Sequence, residues 1–276
     1  MKSIFKQIVK KLISRKAQLL PHYQEHFANL RNEISSLQTL NLPSDIDTTD
    51  REWLRNRIDI RSKLLNEEPF NFLEWEVIKF TMFTQYPAKY LKNELRELKR
   101  EHDYKDYWKP ALIEQDLGAP IRYPYFLESS GQLIHHAYHL LKLKQFLSVK
   151  PDEITNIFEF GGGYGNLAKL SFNLGFVGTY YIYDLPEFSA LQRFYLNCLN
   201  FNEHISQQDG QRSFSVLSDI SYLKSIEELF CQTNGNLFIA TWSFSESPLE
   251  LRKKFIPLIK NCSFILIAFL KEFKEV

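Results

Sequence analysis

All ten glycines of this 276-residue chain lie at or after Gly118, and four of them crowd into the stretch Gly161-Gly162-Gly163-Tyr164-Gly165. That crowding constrains the fold more than any other feature. The run Ile154 to Phe160 just before it is short, apolar and rich in β-branched and aromatic residues, as a buried strand is, whereas Asn166-Leu167-Ala168-Lys169-Leu170 just after it has helical spacing. A strand that turns through glycines straight into a helix leaves backbone N–H groups unshielded by side chains. Glycine at Gly161 and Gly163 also permits positive φ and a close approach by a ligand. Glycines in such number serve plain turns as well, so the loop gains meaning only from what flanks it.

What flanks it is an alternating pattern. Beyond Pro151, Ile154 to Phe160, Tyr180 to Tyr183, Ser213 to Leu217, Leu237 to Thr241 and Ser263 to Phe269 read as short strands with helical patterns between them. That alternation predicts an α/β fold with a parallel sheet and crossover helices. The first half reads as helical. Leu30, Ile34 and Leu37, then Trp53, Leu54, Ile58, Leu64 and Leu65, then Leu91, Leu95 and Leu98 recur at three- and four-residue steps, punctuated by Pro21, Pro43, Pro69, Pro87 and Pro110. Asp103 to Glu128 reads as a loop-rich connection, and a helix capped by Ser129 or Ser130 follows it. Two domains are expected: residues 1–128, helical with the connecting loop, and residues 129–276, containing the sheet.

Bulk composition excludes several functions. With 34 basic against 33 acidic residues the formal net charge is +1, which lacks the basic excess of a nucleic-acid binder. Cys198, Cys231 and Cys262 are far apart, with none of the pairings of zinc sites or disulfide frameworks, as in a protein of the reducing cytoplasm. No secretory signal and no membrane-spanning run is visible. Lys2, Lys6, Lys10, Lys11, Arg15 and Lys16 line one face of a helical pattern within residues 1–20, opposite Ile4, Phe5, Ile8, Val9, Leu12 and Ile13. Such a helix either packs with a solvated charged face or makes weak peripheral contact with an anionic membrane.

The loop chemistry can be narrowed further. A nicotinamide site asks for Gly-x-Gly-x-x-Gly, and registering Gly161 and Gly163 on its first two glycines puts Asn166 in place of the third. Glu159, Gly161, Gly163 and Gly165 instead fit an acidic-x-Gly-x-Gly-x-Gly loop. In it the helix N-terminus offers N–H groups to the carboxylate of a methionine moiety, and Glu159 attracts its ammonium. The second strand ends in Asp184, where an acid about 20 residues beyond the loop can bind both hydroxyls of a ribose.

Two long segments, Phe158-Glu159-Phe160-Gly161-Gly162-Gly163-Tyr164-Gly165-Asn166 and Asp184-Leu185-Pro186-Glu187-Phe188-Ser189-Ala190-Leu191-Gln192, resemble the sugar O-methyltransferase family of bacterial surface-polysaccharide gene clusters. Leu133-Ile134-His135-His136-Ala137-Tyr138-His139 resembles that family's helix before the first strand. Ala240-Thr241-Trp242-Ser243-Phe244-Ser245-Glu246-Ser247-Pro248 resembles its loop after strand four. The resemblance spans about residues 125 to 270. It implies a Rossmann-like class I methyltransferase sheet with an N-terminal helical region, S-adenosylmethionine as cofactor, and a sugar, nucleotide-sugar or glycan acceptor. The cofactor residues it implies are Glu159, Gly161, Gly162, Gly163, Tyr164, Gly165, Asp184 and Leu185, with Asp219 approaching the adenine and Thr241 and Trp242 near the methyl. Class I methyltransferases carry two further strands after the fifth, so a sheet lacking the last two strands is expected from this sequence. The alternatives are a methyltransferase of another small acceptor and a truncated, non-catalytic cofactor-binding protein.

Methyl transfer to a hydroxyl requires an aligned oxygen and removal of its proton. Glu246, after strand four, can accept that proton; its plainer reading is a helix N-cap carboxylate before Pro248. His135 and His139 share a helix face four residues apart, and His136 neighbours them. Each is a candidate base, with partly buried packing as the plainer reading. A histidine pair at that spacing can bind metal, yet no glutamate lies between the two and no acidic cluster follows, so no metal is expected. Tyr104, Tyr107 and Trp108 either stack on sugar rings or fill a core.

Overall fold

The computed structural model describes residues 20, 22–40, 48–82, 89–147, 153–203 and 213–269. Residues 1–19, and with them nearly all of the basic amphipathic stretch, lie outside the described residues. Contacts group the chain into two units, one of Met1–Tyr138 with Arg193–Asn200 and one of His139–Gln192 with Phe201–Val276.

The first unit contains α1 (Tyr23–Ser36), α2 (Thr48–Asn66), a 3-10 segment (Pro69–Glu74), α3 (Glu76–Met82) and α4 (Leu91–Leu98). The helical steps read from the sequence become buried stripes: Leu30 and Ile34 on α1, Ile60 and Leu64 on α2, and Leu91, Leu95 and Leu98 on α4. The connection from 103 to 128 is more ordered than its composition suggests. It holds a π-helical turn at Tyr104–Trp108 and an antiparallel hairpin of β1 (Arg122–Tyr123) and β2 (Phe126–Ser130). Trp108 is fully buried with Tyr107 edge-on to it at 5.3 Å, so that indole is core and does not stack on a ligand. The helix expected after Ser129 or Ser130 is α5 (Gly131–Leu147). Ser130 is its cap: the Oγ accepts from the Leu133 N–H at 3.1 Å and donates to the Glu114 carboxylate at 2.5 Å.

The second half of the chain follows the alternation of the sequence: β3 (Asn156–Phe160), α6 (Asn166–Asn173), β4 (Thr179–Tyr183), α7 (Pro186–Cys198), β5 (Asn202–Glu203), β6 (Ser213–Leu217), α8 (Leu223–Gln232), β7 (Asn236–Thr241), α9 (Ser243–Glu246), α10 (Leu249–Lys260) and β8 (Phe264–Ala268), all within the second unit except α7 from Arg193 onward, which groups with the first. The strands form one sheet in the order β5-β6-β4-β3-β7-β8, and every neighbouring pair is parallel. Among the described residues no strand follows β8.

Burial explains the strand patterns. The central β3 is buried at all five residues, as is all but the last residue of β7, so both read as continuous apolar runs. β4 and β6 instead alternate buried with half-buried residues. One face of the sheet packs Phe158, Phe160, Phe238 and Ala240 against Leu223, Ile226 and Phe230 of α8 and Phe255 and Leu258 of α10. Rings pack in offset and edge-on pairs there, with Phe160 and Phe255 at 4.8 Å. At the amino edge, Asn156 donates to Asn236 at 2.9 Å, and Asn236 donates to the carbonyls of Phe230 and Thr233, both at 2.9 Å. This buried amide chain fixes the register of β3 against β7 and leaves their carboxyl ends to present the loops.

Candidate functional site

In the order β6-β4-β3-β7-β8, the chain leaves β3 toward β4 on one side and leaves β7 toward β8 on the other. The crevice between the carboxyl ends of β3 and β7 is therefore a topological switch point, the place where open parallel sheets bind ligands. Two loops meet there, 161–165 after β3 and 242–248 around α9.

The first loop depends on its glycines. Gly161, Gly163 and Gly165 have φ of 75°, 60° and 89°, left-handed values that a side chain would make costly. Gly161 also has no room for one: a Cβ would lie 2.3 Å from the Ser243 Cβ. Gly162 is crowded from below, where a Cβ would stand 2.5 Å from an Ile182 methyl and 3.0 Å from the Glu159 carboxylate. Packing within the sheet unit thus accounts for two of the glycines. The Gly161 N–H donates to the Tyr183 carbonyl at 2.8 Å, and the Gly165 N–H closes a turn onto Gly162 at 2.9 Å just before α6. Tyr164 is buried behind the loop.

Asp184 closes the loop from the tip of β4. Its Oδ2 accepts from the Gly163 N–H at 3.0 Å and from the Gln192 side-chain amide at 2.9 Å, and its Oδ1 accepts from the Leu185 N–H at 2.8 Å. A carboxylate offers about four acceptor positions, so one on Oδ1 is left for a ligand. Burial raises the Asp184 carboxyl to about 7 against the pull of the Leu185 and Gly163 N–H groups and Gln192. Glu159, deeper in β3, accepts from the Tyr180 hydroxyl at 2.9 Å. Its burial raises it to about 8, with the Tyr180 hydrogen bond opposing and the charge of Asp184 adding to the rise. Two carboxyl groups under one glycine loop, both raised by burial, form a site that a positive ligand group would stabilise.

The second loop begins with strain. Thr241 ends β7, and Trp242 follows at φ 65°, ψ −47°, close to the rare γ-turn conformation and an outlier for a bulky side chain. Neighbouring bonds impose it. The Trp242 N–H donates to the Ala268 carbonyl at 2.7 Å, while its own carbonyl accepts from Ser245 N–H at 2.9 Å and Glu246 N–H at 3.2 Å. The His139 ring of α5 packs 5.6 Å from the indole. Ser243 Oγ donates to the Phe160 carbonyl at 2.5 Å, tying this loop to the end of β3. Glu246 is the last residue of α9, and Pro248, not Glu246, stands at the cap of α10. Burial shifts the Glu246 carboxyl upward, as suits a proton acceptor.

The structure brings together Glu159, Gly161 to Gly165, Asp184 and Leu185, and it places Thr241, Trp242, Glu246 and His139 in the same unit. Asp219 follows β6 on the same sheet edge, exposed, with its carboxylate capping the turn at Ser221 at 2.8 Å; that bond holds it below the ordinary carboxylate range. His135 and His136 belong to the helical unit. There the His135 Nδ1 meets both oxygens of the buried Glu94, at 2.8 and 3.0 Å, and Tyr90 packs on its ring. His136 is buried. Among the described residues one cluster, Glu101, His102 and Asp103, has its side-chain ligand atoms within 4.8 Å of one another, at the surface of the helical unit. Sequence reasoning assigned no role to Gln192, Tyr180 or Ser243. Gln192 carried a readable signal, since with Ser189 and Arg193 it interrupts the apolar run Phe188, Ala190, Leu191, Phe194, Tyr195 of α7. Tyr180 and Ser243 carried none, because their partners are set by sheet register and loop packing.

No protein-family model matches the chain, and no curated protein matches it. Among solved structures it is similar to one described as PigF with SAH, at 15% identity and a TM-score of 0.31, over 96% of this chain and 79% of that one. Likeness at that level leaves the chemistry to be argued from the site's own residues.

Proposed function

We propose that this chain is an S-adenosylmethionine-dependent O-methyltransferase that methylates a sugar hydroxyl during surface-glycan biosynthesis in the cytoplasm. The observation that carries the cofactor is the Asp184 clamp: one carboxylate holds the glycine loop through the Gly163 N–H and keeps one Oδ1 acceptor position for a ribose hydroxyl. The unshielded N–H groups at the start of α6 suit the methionine carboxylate. Glu159 lies below Gly162, and an ammonium group bound above the loop would favour its ionised form. Asp219, on the same sheet edge, is assigned to the adenine side. When bound, the cofactor supplies a methyl group on a positively charged sulfur.

The remaining work falls to the chain. Thr241 and the Trp242–His139 pair wall the crevice beside β3 and exclude water, and His139 or Glu246 takes the proton from the acceptor hydroxyl. His135 is the weaker candidate base, being held by Glu94. The sugar acceptor rests on the resemblance of segments 133–139 and 240–248 to the sugar O-methyltransferase family. No described helix is long and apolar enough to cross a membrane, and all three cysteines are free thiols.

Calorimetry with S-adenosylmethionine, S-adenosylhomocysteine and NAD tests the cofactor, followed by incubation with nucleotide sugars and mass measurement of the products for the gain of one CH2 unit. Both sulfur compounds are expected to bind and NAD to be silent. Binding of NAD alone overturns the cofactor, and methylation of a non-sugar acceptor in preference to every sugar overturns the acceptor.

A further inference from the structure

Gln192 is fully buried on α7, in a helix whose neighbouring inward positions are Phe188, Leu191, Phe194 and Tyr195. A primary amide there has to justify its desolvation through its hydrogen bonds. Its Nε2 donates one proton to the Gly163 carbonyl at 2.8 Å and the other to Asp184 Oδ2 at 2.9 Å. The same Oδ2 receives the Gly163 N–H at 3.0 Å. One residue of the loop, one carboxylate and one amide thus close a ring, in which the loop and the acid cannot move independently. The Gln192 Oε1 is buried with no hydrogen-bond partner, a cost the chain accepts in order to place the two donors.

We propose that Gln192 is the positioning residue of this site, coupling the closed form of the glycine loop to the ionised form of Asp184. The proposal rests on the cofactor reading above, but only for the identity of the ligand. Gln192 opposes the burial that lifts the Asp184 carboxyl to about 7. The charge of Glu187, in the first turn of α7, raises Asp184, and the charge of Asp184 in turn raises Glu159 on β3 and, with that of Asp219, Tyr183 on β4. Lys169, buried on α6, is a further charged group of this unit.

The test compares the wild-type protein with Gln192→Met, which keeps the volume and removes both donors, and Gln192→Glu, which can donate only while protonated. In the ligand-free protein, the carboxyl-carbon NMR signal of Asp184 is expected to titrate about one pH unit higher in Gln192→Met, from the loss of a hydrogen bond to a charged group. Because binding needs the ionised form, that shift weakens S-adenosylhomocysteine about fivefold near pH 7 and hardly at all near pH 9. Gln192→Glu is expected to bind best on the acid side and to lose affinity as the pH rises. A merely structural glutamine would lower affinity equally at every pH and leave the titration where it was, and that result overturns the proposal. If the NMR shift appears but the wild-type protein binds no sulfur cofactor, the coupling stands and the cofactor reading falls.

Discussion

Gly161→Ala is the perturbation whose consequence follows most directly from the geometry. The backbone at φ 75° costs an alanine about 1–2 kcal/mol relative to glycine. The new Cβ would stand 2.3 Å from the Ser243 Cβ and 2.4 Å from its Oγ, where carbon atoms ordinarily approach to about 3.5–4.0 Å. Ser243 cannot retreat without releasing the Phe160 carbonyl, so overpacking of about 1–3 kcal/mol is joined by a lost hydrogen bond of about 1 kcal/mol. The expected destabilisation is about 4 kcal/mol. Ser243→Gly alone should cost about 1–2 kcal/mol, through the freed carbonyl and the extra backbone freedom. The double variant removes the overlap, since the next contact, Ser243 Cα at 3.8 Å, is ordinary. Its cost should fall short of the sum of the single costs by about 2 kcal/mol, the steric and hydrogen-bond part of the alanine's effect. Native-state hydrogen exchange of the β3 and β7 amides reads the stability of the sheet unit separately from that of the helical unit. Additivity within about 0.5 kcal/mol would refute the claim that these two loops are braced against each other.

Cofactor affinity should rise with pH from about 5 to about 8, because an ammonium beside Glu159 needs the carboxylate that burial holds at about 8 in the free protein. Calorimetry near pH 6 in buffers of different ionisation enthalpy should find protons released on binding, and no proton exchange would remove Glu159 and Asp184 from the ligand's contacts. Both carboxyls have raised values in the folded protein, so between about pH 4 and pH 8 the folded state holds protons that the unfolded chain has lost. Their contribution to unliganded stability therefore declines as the pH rises through that window, which chemical denaturation at a series of pH values measures. For His139→Gln and Glu246→Gln, the substitution that removes the base should lower turnover on a true acceptor by about 10²–10⁴ while affinity for S-adenosylhomocysteine stays within about twofold. Near-normal turnover in both would leave proximity to carry the reaction.

Five of the six strands of the sheet were legible because burial wrote them into the chain. β3 is buried at every residue and β7 at all but its last, so both read as nearly continuous apolar runs, while β4 and β6 alternate buried with half-buried residues. β1 and β5 have two residues each, too few for any period to show. In the site, the glycines and Asp184 were legible as residue types with unusual backbone or charge requirements. Their partners were not. His135 is engaged by Glu94, 41 residues away in the chain, and nothing local in either segment marks the pair. The strained backbone of Trp242 was equally hidden, since no residue type announces a positive φ other than glycine and, more weakly, asparagine or aspartate.

That strain has a place in the site's logic. A tryptophan in a γ-turn conformation persists only where its surroundings over-determine it, and here four bonds do so: one from its N–H to Ala268 on β8, and three to its carbonyl from the turn of α9, given by the Ser245 N–H, the Glu246 N–H and the Ser245 hydroxyl. The same turn carries Ser243, whose hydroxyl reaches the last carbonyl of β3 and whose Cβ fills the space that Gly161 leaves. The glycine loop and the loop bearing Trp242 and Glu246 are therefore not two independent features at one sheet edge. The absent side chain of Gly161 lets the second loop dock on the first, and docking fixes the indole against His139. Under the proposed function, a methyl donor on the first loop and a proton acceptor on the second would be set in register by the packing of one serine on one glycine, which is the positional control that an in-line transfer between two bound groups requires.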